Sequence, residues 1–291
     1  DIDVEKQCNE FCPPVTEAGP PQLDRRFSCR MIQSLAQRLK VRSSMGPDFL
    51  HGHFLKRCTP AMARGIALLF NFSWQYGVVP SDWRYADVCP LFKGHGASPS
   101  QADNYRPISL TSILCKLMER CILARLVKHC AVGTPFAFNS RQAGARKHYA
   151  CIDNIHQLHR AISDRWRHRV PYLPVAFIDL VKAFDRTWHA GMLWKLYHQK
   201  GIRGRAWRWL RSFLSDRSLR VAYRGQYSRW FATSAGVPQG AVLSPFLFIV
   251  FMDDLPAAVC GVDPTPLFEL VMFVDDVAFW PYSSGSTGTP K

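Results

Sequence analysis

The spacing of apolar positions changes along the chain, and each change predicts an element. From Phe27 to Leu39, FSCRMIQSLAQRL, apolar residues recur at helical spacing. Ser43 to Asp48, SSMGPD, then breaks the pattern and reads as a loop. Phe54 to Tyr76 predicts one or two amphipathic helices. Asp82 to Lys93, DWRYADVCPLFK, reads as a short strand that ends at a lysine and runs into Gly94-His95-Gly96. Thr111 or Ser112 can cap a helix reaching about Lys128. Gln142 to Arg160 reads as a loop, then a helix with Ile152, Ile155 and Leu158 on one face. Asp185 is a good N-cap for a helix marked by Met192, Leu193 and Leu196. Leu219 to Tyr223 and Tyr227 to Thr233 read as a hairpin around Arg224-Gly225-Gln226. Ala235 to Gly240, AGVPQG, holds two glycines that let backbone come close to a ligand. Ser244-Pro245 then caps FLFIVFMDDL, which is apolar nearly all round and so is expected to be buried. Asp253-Asp254 near its end reads as structural.

Two stretches break the rule that charge stays at the surface. Leu267 to Trp280, LFELVMFVDDVAFW, reads as two buried strands joined by a turn at Asp275 and Asp276. Buried ionised carboxylates are costly unless paired, hydrogen-bonded or bound to metal. An Asp pair at a tight turn is often only turn chemistry. A second apolar strand, Val175 to Ile178, also ends in an acid, Asp179. Strands that bring such carboxylates together can hold two Mg²⁺ ions about 3.5–4 Å apart, as phosphoryl and nucleotidyl transfer requires.

Composition narrows the partner. The chain has 291 residues, of which 47% are hydrophobic, so one large domain or two subdomains can bury a core. Lys and Arg number 37 against 22 Asp and Glu, a formal net charge of +15. That balance favours a polyanion, nucleic acid first and an acidic membrane surface second. The 10 cysteines are scattered without zinc or disulfide spacing, and Cys115 and Cys121 read as small core residues. No signal peptide is visible, and the apolar run around Phe246 to Met252 is too short to span a membrane. Residues 1–26 read as an N-terminal extension or linker, and 283–291, SSGSTGTPK, as a disordered tail. Lys93 and Arg106 sit at element ends near a glycine-bearing loop, which suits a triphosphate as well as an ordinary surface. Arg146 and Lys147 suit a template backbone or a solvated turn. Arg208 and Arg211 lie among Trp207, Trp209 and Phe213, which suits a nucleic-acid track or a helix with core Trp and solvated Arg.

These motifs, in order, resemble a known family. FIDLVKAFD, AGVPQGAVLSP and FVDD look like motifs A, B and C of a reverse transcriptase. NYRPISLTSILCKLMERCI, SSMGPDFL, WRYADVCPLFK and QAGAR resemble the LINE-type, non-LTR retrotransposon enzymes, and the likeness covers roughly residues 27–282. The resemblance implies an α+β, right-hand polymerase fold. Helical fingers would span 27–170 with a hairpin at 212–235, and an antiparallel-sheet palm would span 171–211 and 236–282. It implies RNA-directed DNA synthesis, with Asp179, Asp275 and Asp276 as catalytic and metal-binding carboxylates for two Mg²⁺ ions, Mn²⁺ being a substitute. It implies triphosphate contacts from Lys93 and Arg106, and nucleotide contacts from Gln239 and Gly240. Phe184 would collide with a ribonucleotide 2′-hydroxyl. The implied partners are an RNA template, a DNA primer or target and deoxynucleoside triphosphates, in an intracellular, nuclear setting without a membrane. Val274 stands where the family usually has Ala, and the QAGAR loop lacks the usual aromatic. Only 15 residues follow Asp276, so the thumb is expected to be absent. A group II intron-type enzyme and a truncated, inactive nucleic-acid-binding remnant are the alternatives.

Overall fold

The computed structural model describes residues 2–40, 44–94, 96, 98–169, 172–260 and 267–282. The expected tail at 283–291 and His95 of the glycine loop lie outside them. The chain forms two compact units, Asp1–Ala137 with Phe184–Ser244, and Phe138–Ala183 with Pro245–Lys291.

The first unit is built on helices α1 (Ile2–Glu10), α2 (Pro21–Asp24), α3 (Cys29–Gln37), α4 (Gly52–Lys56) and α5 (Pro60–Tyr76). Strands β1 (Tyr85–Phe92) and β2 (Tyr105–Leu110) follow, then α6 (Ile113–His129). Ser112 caps α6 as expected, its hydroxyl accepting from the Cys115 amide, and Thr59 caps α5 in the same way by accepting from the Met62 amide. After the crossover come α8 (His189–His198) and α9 (Gly204–Leu214), taken here with α7 (Cys151–Arg167) reserved for the second unit. Strands β4 (Arg217–Tyr223), β5 (Gln226–Tyr227) and β6 (Phe231–Thr233) close the unit. The sheet runs β2-β1-β4-β5 with β6 also on β4, and β1 pairs β4 in parallel. Helices α3, α5, α6 and α9 pack around Phe70, Trp74, Trp207, Trp209 and Phe213, all buried. Trp209 gives its indole N–H to Ser73 at 3.0 Å, so the ring is buried without an orphaned donor.

The second unit holds α7, β3 (Ala176–Ile178), most of α10 (Ser244–Met252), α11 (Leu255–Cys260), β7 (Phe268–Phe273) and β8 (Asp276–Pro281). Its antiparallel sheet runs β3-β8-β7. Leu270, Met272, Val277 and Cys260 form its core under Phe268 and Phe279. As expected, α10 is buried, from Phe246 to Val250.

Several expectations need correction. Residues 2–26 are not a linker. Phe11 packs its ring 4.9 Å from Tyr197 and 5.9 Å from Trp207, and Leu23 is buried. Prolines break this segment, but apolar anchors between them dock it on α8 and α9. Asp185 caps no α-helix. It lies in a 3-10 turn, Phe184–Arg186, and α8 begins after Trp188 with no side-chain cap. On α7 the apolar face is outside, with Ile152 and Ile155 about half exposed at 50% and 53%. The helix packs instead through Asn154, whose amide donates to the Met272 carbonyl at 3.0 Å. Strand β3 is apolar but buries none of its three side chains, because it is the sheet's edge. The Ser244 hydroxyl at the start of α10 donates to the Pro238 carbonyl at 2.8 Å.

Candidate active site

The acids converge through strand register. β3 pairs β8 with Ile178 opposite Val277, so Asp179 and Asp276 are the residues that adjoin this last pair on the two chains. β7 pairs β8 with Phe273 opposite Asp276, which leaves Val274 and Asp275 as the turn. Val274 sits at φ 61°, a left-handed conformation that is costly for a β-branched residue.

What holds that turn is the QAGAR loop. Gln142 is fully buried. Its side-chain oxygen accepts from the Val274 amide at 3.0 Å and the Gly144 amide at 2.8 Å, and its amide nitrogen donates to the Val274 carbonyl at 3.3 Å. The Ala143 amide donates to the Met272 carbonyl, and the Met272 amide to the Arg141 carbonyl, so the loop runs along β7 as an added edge. A Cβ on Gly144 would meet the Val274 nitrogen at 2.3 Å, which is why that approach needs glycine.

Burial pushes the Asp275 carboxyl up, a backbone hydrogen bond partly offsets this, and the charges of Asp276 and Asp179 push it further. Three carboxylates whose charges oppose one another form an all-oxygen donor set that suits a hard divalent cation. Among the described residues, no group of three or more His, Cys, Asp or Glu is drawn close enough to grip a metal by itself.

The cationic candidates lie in the first unit. Leu91 pairs Arg106, so Lys93, two residues on from Leu91, shares a sheet face with Arg106. Lys93 gives one hydrogen bond to the Asp103 carbonyl at 2.8 Å, and Arg106 is exposed. The loop after Gly236 is tied to β2 by the Ser109 amide, which donates to the Gln239 carbonyl at 2.6 Å. Its other end is tied by the Val237 amide, which donates to the Phe184 carbonyl at 2.7 Å. Backbone bonds thus tie the loop to Ser109 of β2 at Gln239 and to Phe184 at Val237. Gly240, at φ 113°, would put a Cβ 2.9 Å from the Ser109 oxygen. That closeness to β2 backbone requires glycine at this position.

The nucleic-acid candidates are more occupied than their sequence suggests. Arg146 donates to the carbonyls of Asn139 and Gln142 and covers the Tyr149 ring at 4.1 Å, so it pins its own loop. Lys147 is exposed. Arg208 donates to the Val15 carbonyl at 2.7 Å, and Arg211 to the Cys12 sulfur at 3.2 Å.

A family model described as "Reverse transcriptase (RNA-dependent DNA polymerase)" matches residues 93–282. The chain belongs to the reverse transcriptase family. It is 31% identical over 249 residues to the RNA-directed DNA polymerase from mobile element jockey of Drosophila melanogaster, covering 85% of this chain and 26% of that protein. It is 33% identical over 255 residues to a probable RNA-directed DNA polymerase from transposon BS of the same species, covering 87% of this chain and 27% of that protein. The chain thus spans about a quarter of the length of these relatives. Among solved structures, apo telomerase from Candida Tropicalis aligns at TM-score 0.47 and 11% identity, over 83% of this chain and 52% of that one.

Within this reverse transcriptase chain, the sequence reading missed three features. Gln142 reads as a loop residue because its partner is 132 positions away. Glu119 reads as one polar residue in a helix, yet it is fully buried. The hairpin β4–β6 carries exposed Tyr223, Tyr227, Trp230 and Phe231, with Arg220 4.0 Å over Tyr227 and 4.6 Å over Trp230. Arg224 covers Tyr223, and Arg229 covers Phe231. The signal was available: from 217 to 252 the sequence contains no Asp or Glu.

Proposed function

We propose that this chain is the RNA-directed DNA polymerase domain of a non-LTR retrotransposon polypeptide, adding deoxynucleotides to a primer 3′-hydroxyl on an RNA template. The mainly helical first unit supplies fingers, and the second unit supplies palm. The observation that carries the reading is the register that sets Asp179 beside Asp276, next to Asp275 in a clamped turn.

Asp179, Asp275 and Asp276 would hold Mg²⁺, or Mn²⁺ in its place. When bound, the two ions make the primer hydroxyl more acidic and neutralise charge on the incoming triphosphate. Lys93 and Arg106 bind the triphosphate as paired cations on one sheet face. Gln239 and Gly240 border the nucleotide, and the Phe184 ring excludes a 2′-hydroxyl. The aromatic and arginine side chains of β4–β6 stack on and neutralise single-stranded template. Lys147 meets backbone phosphate, while Arg146, Arg208 and Arg211 do so only with donors left over from their protein bonds. The working setting is nuclear, where a DNA target is available.

The test is Asp179→Asn or Asp275→Asn in the full-length polypeptide. Primer extension should fall at least about a thousandfold, since the metal charge stabilisation is lost, while RNA binding stays within twofold or so. Near-parental extension by either variant would remove that carboxylate from the site.

A second reading, a nucleic-acid-binding module without synthesis, is favoured by the exposed aromatic and arginine side chains of the β4–β6 hairpin, which can hold a polyanion without a metal. Salt-sensitive RNA binding by residues 1–291, without extension when Mg²⁺ is saturating, would support it.

A further inference from the structure

We infer that Glu119 is a positioning residue of the polymerase reaction, which sets the 238–243 loop and, through it, Gln239. The inference rests on the polymerase reading above. Glu119 lies on α6 and is wholly buried, at 0% exposure. A carboxylate in that position is costly unless hydrogen bonds compensate it. Here its Oε2 accepts from the Val242 amide at 2.7 Å and the Leu243 amide at 2.9 Å. Both amides immediately precede α10, where N–H groups have no partner within a helix. The two bonds therefore satisfy donors that burial would otherwise strand.

Glu119 is attached firmly enough to act as an anchor. α6 is a helix of 17 residues that buries Cys115, Leu117, Met118, Cys121 and Ile122 around it. The loop has two other fixed points. Gln239 is held to β2 at the Ser109 amide, and Pro238 receives the Ser244 hydroxyl. The Ser244 hydroxyl closes the loop exit onto Pro238, and Glu119 adds two backbone bonds to the same exit, at Val242 and Leu243. Burial raises the Glu119 carboxyl, while its bonds to Leu243 and Val242 and the buried Arg217 charge oppose that rise. The same geometry serves either a carboxylate or a neutral acceptor.

That last point sets the test. In Glu119→Gln the amide oxygen can still accept from both backbone N–H groups. In Glu119→Ala it cannot, and the two donors are stranded. Wild type and both variants are compared in the full-length polypeptide by amide hydrogen exchange at Val242 and Leu243, and by steady-state primer extension. The expected result is fast exchange in Glu119→Ala with a KM for deoxynucleotide raised about tenfold, kcat nearly unchanged, and both restored in Glu119→Gln. If Glu119→Ala fails to fold, Glu119→Asp, which withdraws the carboxylate by one methylene, takes its place. Fast exchange with an unchanged KM would leave Glu119 as a packing contact and overturn the inference. So would unchanged exchange. Wild-type protein that neither extends a primer nor binds deoxynucleotide would overturn the polymerase reading, an outcome distinct from either.

Discussion

Gln142 shows what one side chain can hold. Its three hydrogen bonds fix both the N–H and the C=O of Val274, the residue whose left-handed backbone aims Asp275. Gln142→Leu keeps much of the volume and removes all three. Three backbone groups, the Val274 N–H and C=O and the Gly144 N–H, then lose their partner, at about 1–3 kcal/mol for each that water cannot reach. The chain should lose roughly 2–4 kcal/mol of stability, and extension should fall more than RNA binding does. Chemical denaturation beside primer extension checks this, and a drop in stability below about 0.5 kcal/mol would mean the turn holds itself. The acids at 179, 275 and 276 stood out in the sequence as candidates because charge inside an apolar strand pattern is rare. Their clamp did not, because a buried glutamine in a glycine-bearing loop looks like any turn residue until its distant partner is known. Asp185 misled for the opposite reason. It has the chemistry of a cap, but the chain makes a 3-10 turn there and begins α8 later.

At the scale of elements, periodicity found most helices and strands, because burial on one face is a local property. It failed where an element packs through a polar residue, as α7 does through Asn154, or at an edge, as β3 does. It also undervalued residues 2–26, whose few anchors find their pockets on α8 and α9. The hairpin β4–β6 yields a separable test. Base stacking on an aromatic contributes about 1–3 kcal/mol, while each phosphate contact adds to the salt slope. Trp230→Ala should weaken single-stranded RNA binding about tenfold at every salt concentration, with the slope of log K against log salt unchanged. Arg229→Ala should flatten that slope by roughly 0.7. Equal effects of the two substitutions on slope would mean that the rings do not stack on bases.

For the whole molecule, the charge of +15 is spread unevenly, with a run of 36 residues from 217 to 252 free of acid and the candidate acids confined to the second unit. In the proposed function, polyanion attraction and cation binding would therefore fall to different parts of the chain. The family and the mixed helix-and-sheet fold could be read from the order of motifs. The interleaving of the two units, each made of two separate stretches, could not, because it depends on contacts between distant segments.

One consequence follows from the thinness of β3. It meets β8 through three residue pairs and buries nothing of its own. At roughly 0.2–1 kcal/mol per pair, its alignment is weakly specified, and a slip of one position would turn Asp179 to the opposite side of the sheet. The strand needs an external reason to stay in phase, and a cation shared by Asp179 and its neighbours would be one. Occupancy of the acids and alignment of the strand are then a single equilibrium. Mg²⁺ at ten times its dissociation constant should stabilise the chain by about 1.4 kcal/mol and slow amide exchange across 176–178, and Asp179→Asn should cancel both effects. Equal stabilisation of the variant would show that the strand stays in phase unaided, and that the ion is held elsewhere.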